Sequence, residues 1–336
     1  MKVLFVGGTG LISTACTELA VERGIDLWHL NRGKRETAPA KGVRLLQADI
    51  RDAASARRAL GDARFDSVVN WIAFTPDQVR QDIELFGGRT SQYVFISSAS
   101  AYQKPPRHYV ITEETPLENP FWEYSRQKAA CENLLMEECR TRGFPATIVR
   151  PSLTFGNPVI PLAVSCWHAP WTIVSRMRRG GRMIVPGDGT SLWPITHNTD
   201  FAAALHGLLG NPKAVGEAFH ITTDEAPTWN RIYELTAEAC GARLNPVHIS
   251  SDFLMAFDPH LEGSLIGDKA NSIVFDNSKI KRFVPGWTAK VSYAEGIART
   301  LRWLSADPAR QSVDAATEAK WDRIISAHDS GKGAGS

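Results

Sequence analysis

The sequence predicts an α/β protein: a doubly wound parallel sheet with a smaller second region. Three observations predict it. Short apolar runs alternate with helical patterns from Lys2 to Arg150. A glycine-rich turn, Gly7-Gly8-Thr9-Gly10, joins the first apolar run directly to the first helical pattern. Past Gly156 the regular alternation stops, and the chain is long enough to build a further unit.

Lys2 to Val6 is a continuous apolar run, as expected of a parallel strand buried on both faces. The glycine turn follows, and a helical pattern runs through Cys16, Leu19 and Ala20 to a stop at Gly24. Strand, glycine turn and helix together fit a Rossmann-type dinucleotide site. Gly7 permits the tight turn, Gly10 lets the backbone approach a pyrophosphate, and Thr9, Leu11 and Ile12 lie where the helix N-terminus offers N–H groups. The third small position is Ser13 instead of Gly. Asp26 to Leu30 is the second strand, ending in Asn31-Arg32-Gly33-Lys34-Arg35 without the acidic residue that usually meets a ribose 2′-hydroxyl. Arg32, with Lys34 or Arg35, can pair with a 2′-phosphate, which favours NADP over NAD; a solvated basic turn is the alternative. Val43 to Ala48 is the third strand. Asp49 and Ile50 follow where an adenine amino group would be met, and Asp52 can cap the helix from Ala53 to Leu60. Phe65 to Trp71 is the fourth strand, leading to Ala73 and Phe74 and to a helix after Pro76. Tyr93 to Ile96 is the fifth, ending in Ser97-Ser98-Ala99-Ser100, where hydroxyls would face the ligand crevice. Pro105-Pro106 mark an exposed loop, and Ala146 to Arg150 is the sixth strand, ending at Pro151.

Between those last two strands a helix to about Arg142 carries Tyr124 and Lys128, four residues apart and therefore on one face. Of the six tyrosines, only Tyr124 has a lysine at this spacing. An ammonium about 4 Å from a phenol, at an effective dielectric of about 20, favours the phenolate by ~4 kcal/mol. Lys128 is therefore expected to lower the Tyr124 pKa into the range of general acid–base catalysis. An amphipathic helix with a packed Tyr and a solvated Lys is the alternative.

These segments together resemble the extended short-chain dehydrogenase/reductase family, including its NAD(P)-dependent epimerase/dehydratase branch. The resemblance rests on Gly7, Gly10 and Ser13; on Ser97, Ser98 and Tyr102; on Tyr124 and Lys128; and on Arg150, Pro151, Phe155 and Gly156. It continues through Pro186-Gly187-Asp188-Gly189-Thr190, Thr199-Asp200-Phe201-Ala202, and Asp276 to Trp287, covering about residues 1–304 in family order. It implies Ser98, Tyr124 and Lys128 as catalytic residues. It implies Tyr124, Lys128, Ala73 and Pro151 beside the cofactor, and a homodimer through the Tyr124 helix and its neighbour. Members that dehydrate nucleotide-sugars carry an Asp-Glu pair where this chain reads Ala99-Ser100, which argues against 4,6-dehydration. Gly-Gly-Thr-Gly-Leu-Ile-Ser with Asn-Arg-Gly also resembles a subgroup related to chloroplast stem-loop RNA-binding proteins, some with altered catalytic residues; this chain keeps them.

The expected division is a dinucleotide-binding domain over 1–156 and a substrate region over 157–310, with 196–217 returning to the first domain. A C-terminal helix and flexible tail take 311–336. By resemblance the second region closes over the substrate, with Phe74, Ser98, Ser100, Trp193 and His197 as contacts. The basic run Arg176 to Arg182 could meet a diphosphate, or could be a solvated helix end. The formal charge is only +2, so neither nucleic acid nor a membrane surface is expected as a partner. No apolar run reaches the roughly 18 residues of a membrane span, and the absence of a leader pattern points to the cytoplasm. Five cysteines without a C-x-x-C pair read as reduced thiols, and nine scattered histidines predict no metal. The implied activity is hydride transfer at a sugar-like, possibly nucleotide-linked, hydroxyl or ketone, as a reductase or an epimerase. The rival is a non-catalytic NADP-sensing or RNA-binding relative.

Overall fold

The computed structural model describes residues 1–33 and 41–331. Lys34, Arg35 and the last five residues of the expected tail lie outside it.

Seven parallel strands form one sheet. In chain order they are β1 (Lys2–Val6), β2 (Asp26–Asn31), β3 (Arg44–Gln47), β4 (Ser67–Asn70), β5 (Tyr93–Ile96), then, after β6 (Val110–Ile111), β7 (Ala146–Pro151). After β8 (Leu153–Phe155), β9 (Met183–Pro186) and β10 (Ile195–His197), the seventh is β11 (Ala218–Ile221). The order across the sheet is β11-β7-β5-β4-β1-β2-β3. The chain leaves β1 toward β2 and β3, then returns to β4 on the other side. The carboxyl ends of β1 and β4 therefore flank a topological switch point, where open α/β sheets bind ligands.

Why the strands are continuously apolar is visible in β1. Val3 and Phe5 join one buried cluster and Leu4 and Val6 another, because successive side chains leave opposite faces. The first cluster packs the sheet against α1 (Leu11–Glu22). The second packs it against α2 (Ala53–Leu60), α3 (Pro76–Phe86) and α4 (Glu123–Arg142). Gly143, at φ 69°, ends α4 in the left-handed conformation, with its N–H on Cys139 and that of Phe144 on Glu138.

The second region is built on α5 (Trp171–Arg178), with α6 (Asn198–Leu208) returning to lie against α1. Then come α7 (Trp229–Ala239), β12 (Pro246–Ile249), α8 (Ser251–Phe257), α9 (Leu261–Ser264), a π-helical turn at Leu265–Lys269 and β13 (Val274–Phe275). The helices α10 (Ser278–Phe283), α11 (Tyr293–Ser305) and α12 (Ala315–Asp329) finish it. Small parallel pairs β8/β10, β9/β12 and β6/β13 stitch these segments together.

Three expectations need correcting. Ala218–Ile221, assigned from sequence to the second region, is the outermost strand of the large sheet, paired with β7. The fourth strand ends at Asn70 instead of Trp71, because the Asn70 Oδ1 accepts the N–H groups of Ile72 and Ala73 and turns the chain. The basic run does not face the cleft. Arg176, Arg179 and Arg182 pair with Asp322, Glu318 and Asp329 of α12, and Arg178 reaches the Cys240 carbonyl. Those charges hold the C-terminal helix in place.

Candidate active site

The glycine turn is shaped by its neighbours. Gly8 has φ +98°, and a Cβ there would lie 2.7 Å from the His29 ring, so only glycine fits above that buried histidine. Burial pushes the His29 pKa down to about 4, so the imidazole is neutral; Thr17 Oγ1 is 3.1 Å from its Nε2. Gly10 caps α1 in an extended conformation and offers no side chain to the first helical amides. Those amides, on Leu11, Ile12 and Ser13, have no partner within their own helix. Among the described residues, a Cβ on Gly10 would touch only the Ser13 Oγ, at 3.5 Å. Ser13 is buried, and its hydroxyl accepts the Gly10 N–H at 2.8 Å. Thr9 and Gly10 are exposed at the apex. Backbone N–H groups at a helix start fit a pyrophosphate.

Asn31 ends β2, and its Oδ1 accepts the N–H of Gly33 across exposed Arg32. Asp49 is half-buried and accepts the Arg51 N–H, while Asp52 caps α2 through Ser55. Beyond them a cavity is lined by Ile50, Arg51, Asn70, Ile72, Ala73 and Asp82. Its floor is polar. Asp82 accepts from both Asn70 and the Tyr93 hydroxyl at 2.5 Å, and burial pushes its carboxyl up to about 7.

Above the carboxyl ends of β4 and β5, the Lys128 ammonium donates to the carbonyls of Ala73 (2.7 Å) and Ile96 (2.8 Å). It is buried, and desolvation lowers its pKa to about 8. Phe74, partly exposed, lies 4.5 Å from that ammonium and packs against the Tyr124 ring. Tyr124 lies close enough to Ser98 for the serine hydroxyl to lower the phenol's pKa. Ser98 Oγ is 2.9 Å from Ser100 Oγ, which accepts from Ser125. α4 is anchored beneath by a buried ion pair, Arg150 of β7 to Glu132, with Ser97 and Tyr102 completing the shell. Pro151 follows at the buried strand end.

The electrostatics of the phenol run opposite to expectation. Burial raises the Tyr124 pKa above the ordinary value, the neighbouring Ser98 hydroxyl lowers it, and the Asp268 carboxylate adds to the rise. Lys128 lies 5.9 Å from the ring centroid, with its ammonium spent on two carbonyls, so it does not supply the predicted stabilisation in this state. The four-residue spacing placed the two groups on one face without deciding which acceptor the ammonium would choose.

Of the other named contacts, His197 caps α6 by accepting the Thr199 N–H and stands edge-on to Phe155, a packing role. Trp193 is buried, stacked on Trp229, with an indole N–H that has no partner among the described residues. Several residues at the cleft carried no local signal. Asp268 arrives from the π-helical turn, and Lys104, in the stretch read as exposed loop, is buried. Asn119 binds the carbonyls of Ser100 and Gly267, both at 2.7 Å, joining the two halves. Away from the cleft, Cys166, His168 and Asp314 place ligand atoms within 4.8 Å of one another, a grouping not visible in sequence spacing. Asp314 is already the N-cap of α12, which accounts for its position there.

A family described as "NAD dependent epimerase/dehydratase family" matches residues 3–222. The chain belongs to that family. It is 23% identical to the UDP-glucose 4-epimerase of Lactobacillus helveticus, over 92% of this chain and 98% of that protein. It is 24% identical to the chloroplast stem-loop binding protein of 41 kDa b from Arabidopsis thaliana, over 88% of this chain and 77% of that one. Among solved structures it resembles the UDP-glucose 4-epimerase of Thermotoga maritima with UDP-glucose, at a TM-score of 0.73 and 20% identity, covering 91% of this chain and 99% of the other. That last likeness establishes the shared fold. Among the described residues no helix is long and apolar enough to cross a membrane.

Proposed function

We propose that this chain catalyses hydride transfer at a sugar-like hydroxyl or ketone, as a reductase or an epimerase, with Tyr124, Ser98 and Lys128 as its catalytic residues. The observation that carries the reading is the gathering of Tyr124 and Ser98, close enough for the serine to lower the phenol's pKa, beside a lysine tethered at the ends of two central strands. A bound nicotinamide supplies the hydride chemistry. The outward amides after Gly10 and the cavity at Ile50 and Ala73 fit the pyrophosphate and adenine ends of a dinucleotide. Exposed Arg32, and an amide in place of an acid at Asn31, favour NADP.

Within the chain, Tyr124 holds and moves the hydroxyl proton, and Ser98 donates to the substrate oxygen. Lys128 fixes the loop at Ala73 and keeps positive charge beneath the site. The chemistry proposed excludes 4,6-dehydration, since Ala99 and Ser100 are buried in a short 3₁₀ turn and offer no carboxylate. The substrate is a sugar or nucleotide-sugar, as the relatives' names suggest.

Tyr124→Phe keeps the ring and removes the proton carrier. Turnover is expected to fall by roughly 10²–10⁴ with cofactor binding retained; near-normal turnover would end the proposal. Activity without added cofactor, in protein purified with it bound, assigns epimerisation; dependence on added cofactor assigns net redox. The Arabidopsis relative supports one rival, an RNA-binding protein. Salt-dependent RNA binding with no turnover on carbonyl and sugar substrates would favour it.

A further inference from the structure

A row of serine hydroxyls joins the start of α4 to the end of β5. Ser125, which follows Tyr124 in α4 and is fully buried, donates to Ser100 Oγ at 2.8 Å. Ser100 Oγ lies 2.9 Å from Ser98 Oγ, and the Ser100 N–H donates to that same Ser98 oxygen at 3.2 Å. Ser100 is 5% exposed, whereas Ser98 and Tyr124 are each partly exposed. The row therefore begins in the interior and ends beside the phenol. Its middle member is held from behind, because Asn119 Nδ2 donates to the Ser100 and Gly267 carbonyls, both at 2.7 Å. A serine hydroxyl has one proton to give and two lone pairs to fill, and that count sets the direction of the row. Ser125 gives its proton to Ser100, and Ser100 must place its own. Among the described residues, Ser98 Oγ is the acceptor that lies within reach of it. The reverse order, with Ser98 donating to Ser100, would leave a buried O–H without an acceptor, the costly case for a hydrogen bond. Ser98 thus accepts from both the O–H and the N–H of Ser100. Both of its lone pairs are filled, and its one proton is left for the cleft.

We infer that Ser100 is a positioning residue: by filling the second lone pair of Ser98 it makes the Ser98 hydroxyl a donor only, so that an oxygen beside it, of Tyr124 or of the substrate, meets a proton. The downward pull of Ser98 on the phenol's pKa agrees, since a donor stabilises the anion and an acceptor would stabilise the neutral phenol. A carbonyl or alkoxide oxygen on the substrate is matched by such a donor. The family resemblance suggested Ser100 as a substrate contact; its burial and its two hydroxyl partners set it one hydrogen bond further back. The inference rests on the proposed reading of Ser98 and Tyr124 as catalytic residues, but its test reads the phenol without turnover, so the two fail separately.

The ligand-free full chain is titrated spectrophotometrically, each variant against the same variant carrying Tyr124→Phe, so that the difference isolates one phenol. Ser100→Ala opens a lone pair on Ser98, and the neutral phenol can then donate into it. The ionisation constant of Tyr124 is expected to fall by about tenfold, as for one hydrogen bond reversed. In a Ser98→Ala background the same Ser100→Ala change is expected to leave the phenol where it was, because Ser100 acts through Ser98. A role confined to holding the short turn would move the phenol equally with and without the Ser98 hydroxyl. An unmoved or more acidic phenol in Ser100→Ala, or an equal shift in the two backgrounds, would each overturn the assignment.

Discussion

Ser98 sits beside Tyr124, and it is the serine that draws the buried phenol's pKa down, against the effect of burial. The acidity of Tyr124 in the ligand-free protein is therefore set by desolvation first. Spectrophotometric titration of the wild type minus Tyr124→Phe should show one phenol ionising above the ordinary value of about 10. Ser98→Ala should move that phenol higher still. A difference titration centred below 10 would restore Lys128 as the dominant influence.

Asp82 makes stability depend on pH. Its folded pKa of about 7 lies above the unfolded value, so the folded state holds the proton through the acid-to-neutral range. The sign follows: the contribution is fully present below about pH 4 and is lost as pH rises through 7. At 1.36 kcal/mol per pKa unit, the loss is on the order of 4 kcal/mol. Asp82→Asn keeps an acceptor for Asn70 and Tyr93 and removes the titration. Urea unfolding between pH 5 and 8 should show wild-type stability falling relative to the variant. Parallel curves would assign the proton elsewhere.

Gly8→Ala should destabilise the fold by about 1–3 kcal/mol, since the new methyl meets the His29 ring at a positive φ. In a His29→Ala background the same change should cost less, because the ring is gone and only the backbone strain remains. Equal costs in the two backgrounds would place the whole effect in the backbone.

Arg32→Ala tests the cofactor preference. A lost charge-assisted contact to a 2′-phosphate should weaken NADP binding by about 10–100-fold and leave NAD binding unchanged. Equal weakening of both cofactors, or of neither, would remove Arg32 from the discrimination.

Much of the first half was legible because its signals are local. Apolar runs of strand length, a glycine turn between strand and helix, and a Tyr-Lys spacing all depend on residues within a few positions of each other. The membership of β11 in the large sheet was not legible, since a four-residue apolar strand carries no mark of its neighbour. Nor was the use of Arg176, Arg179 and Arg182, whose acidic partners lie about 140 residues further on. A charge run announces attraction but not its object.

The sequence by itself determined the alternating architecture, the glycine turn from strand to helix, and the placing of Tyr124 and Lys128 on one helix face; the resemblance to a family singled out Ser98. Backbone geometry and side-chain periodicity suffice for the architecture, the turn and the Tyr124–Lys128 spacing. Only the tertiary structure decided which acceptors the Lys128 ammonium takes, how far burial moves the phenol, and that Lys104 meets Asp268 from 164 positions away. Those outcomes follow from distance and desolvation, which exist only after the chain has closed on itself.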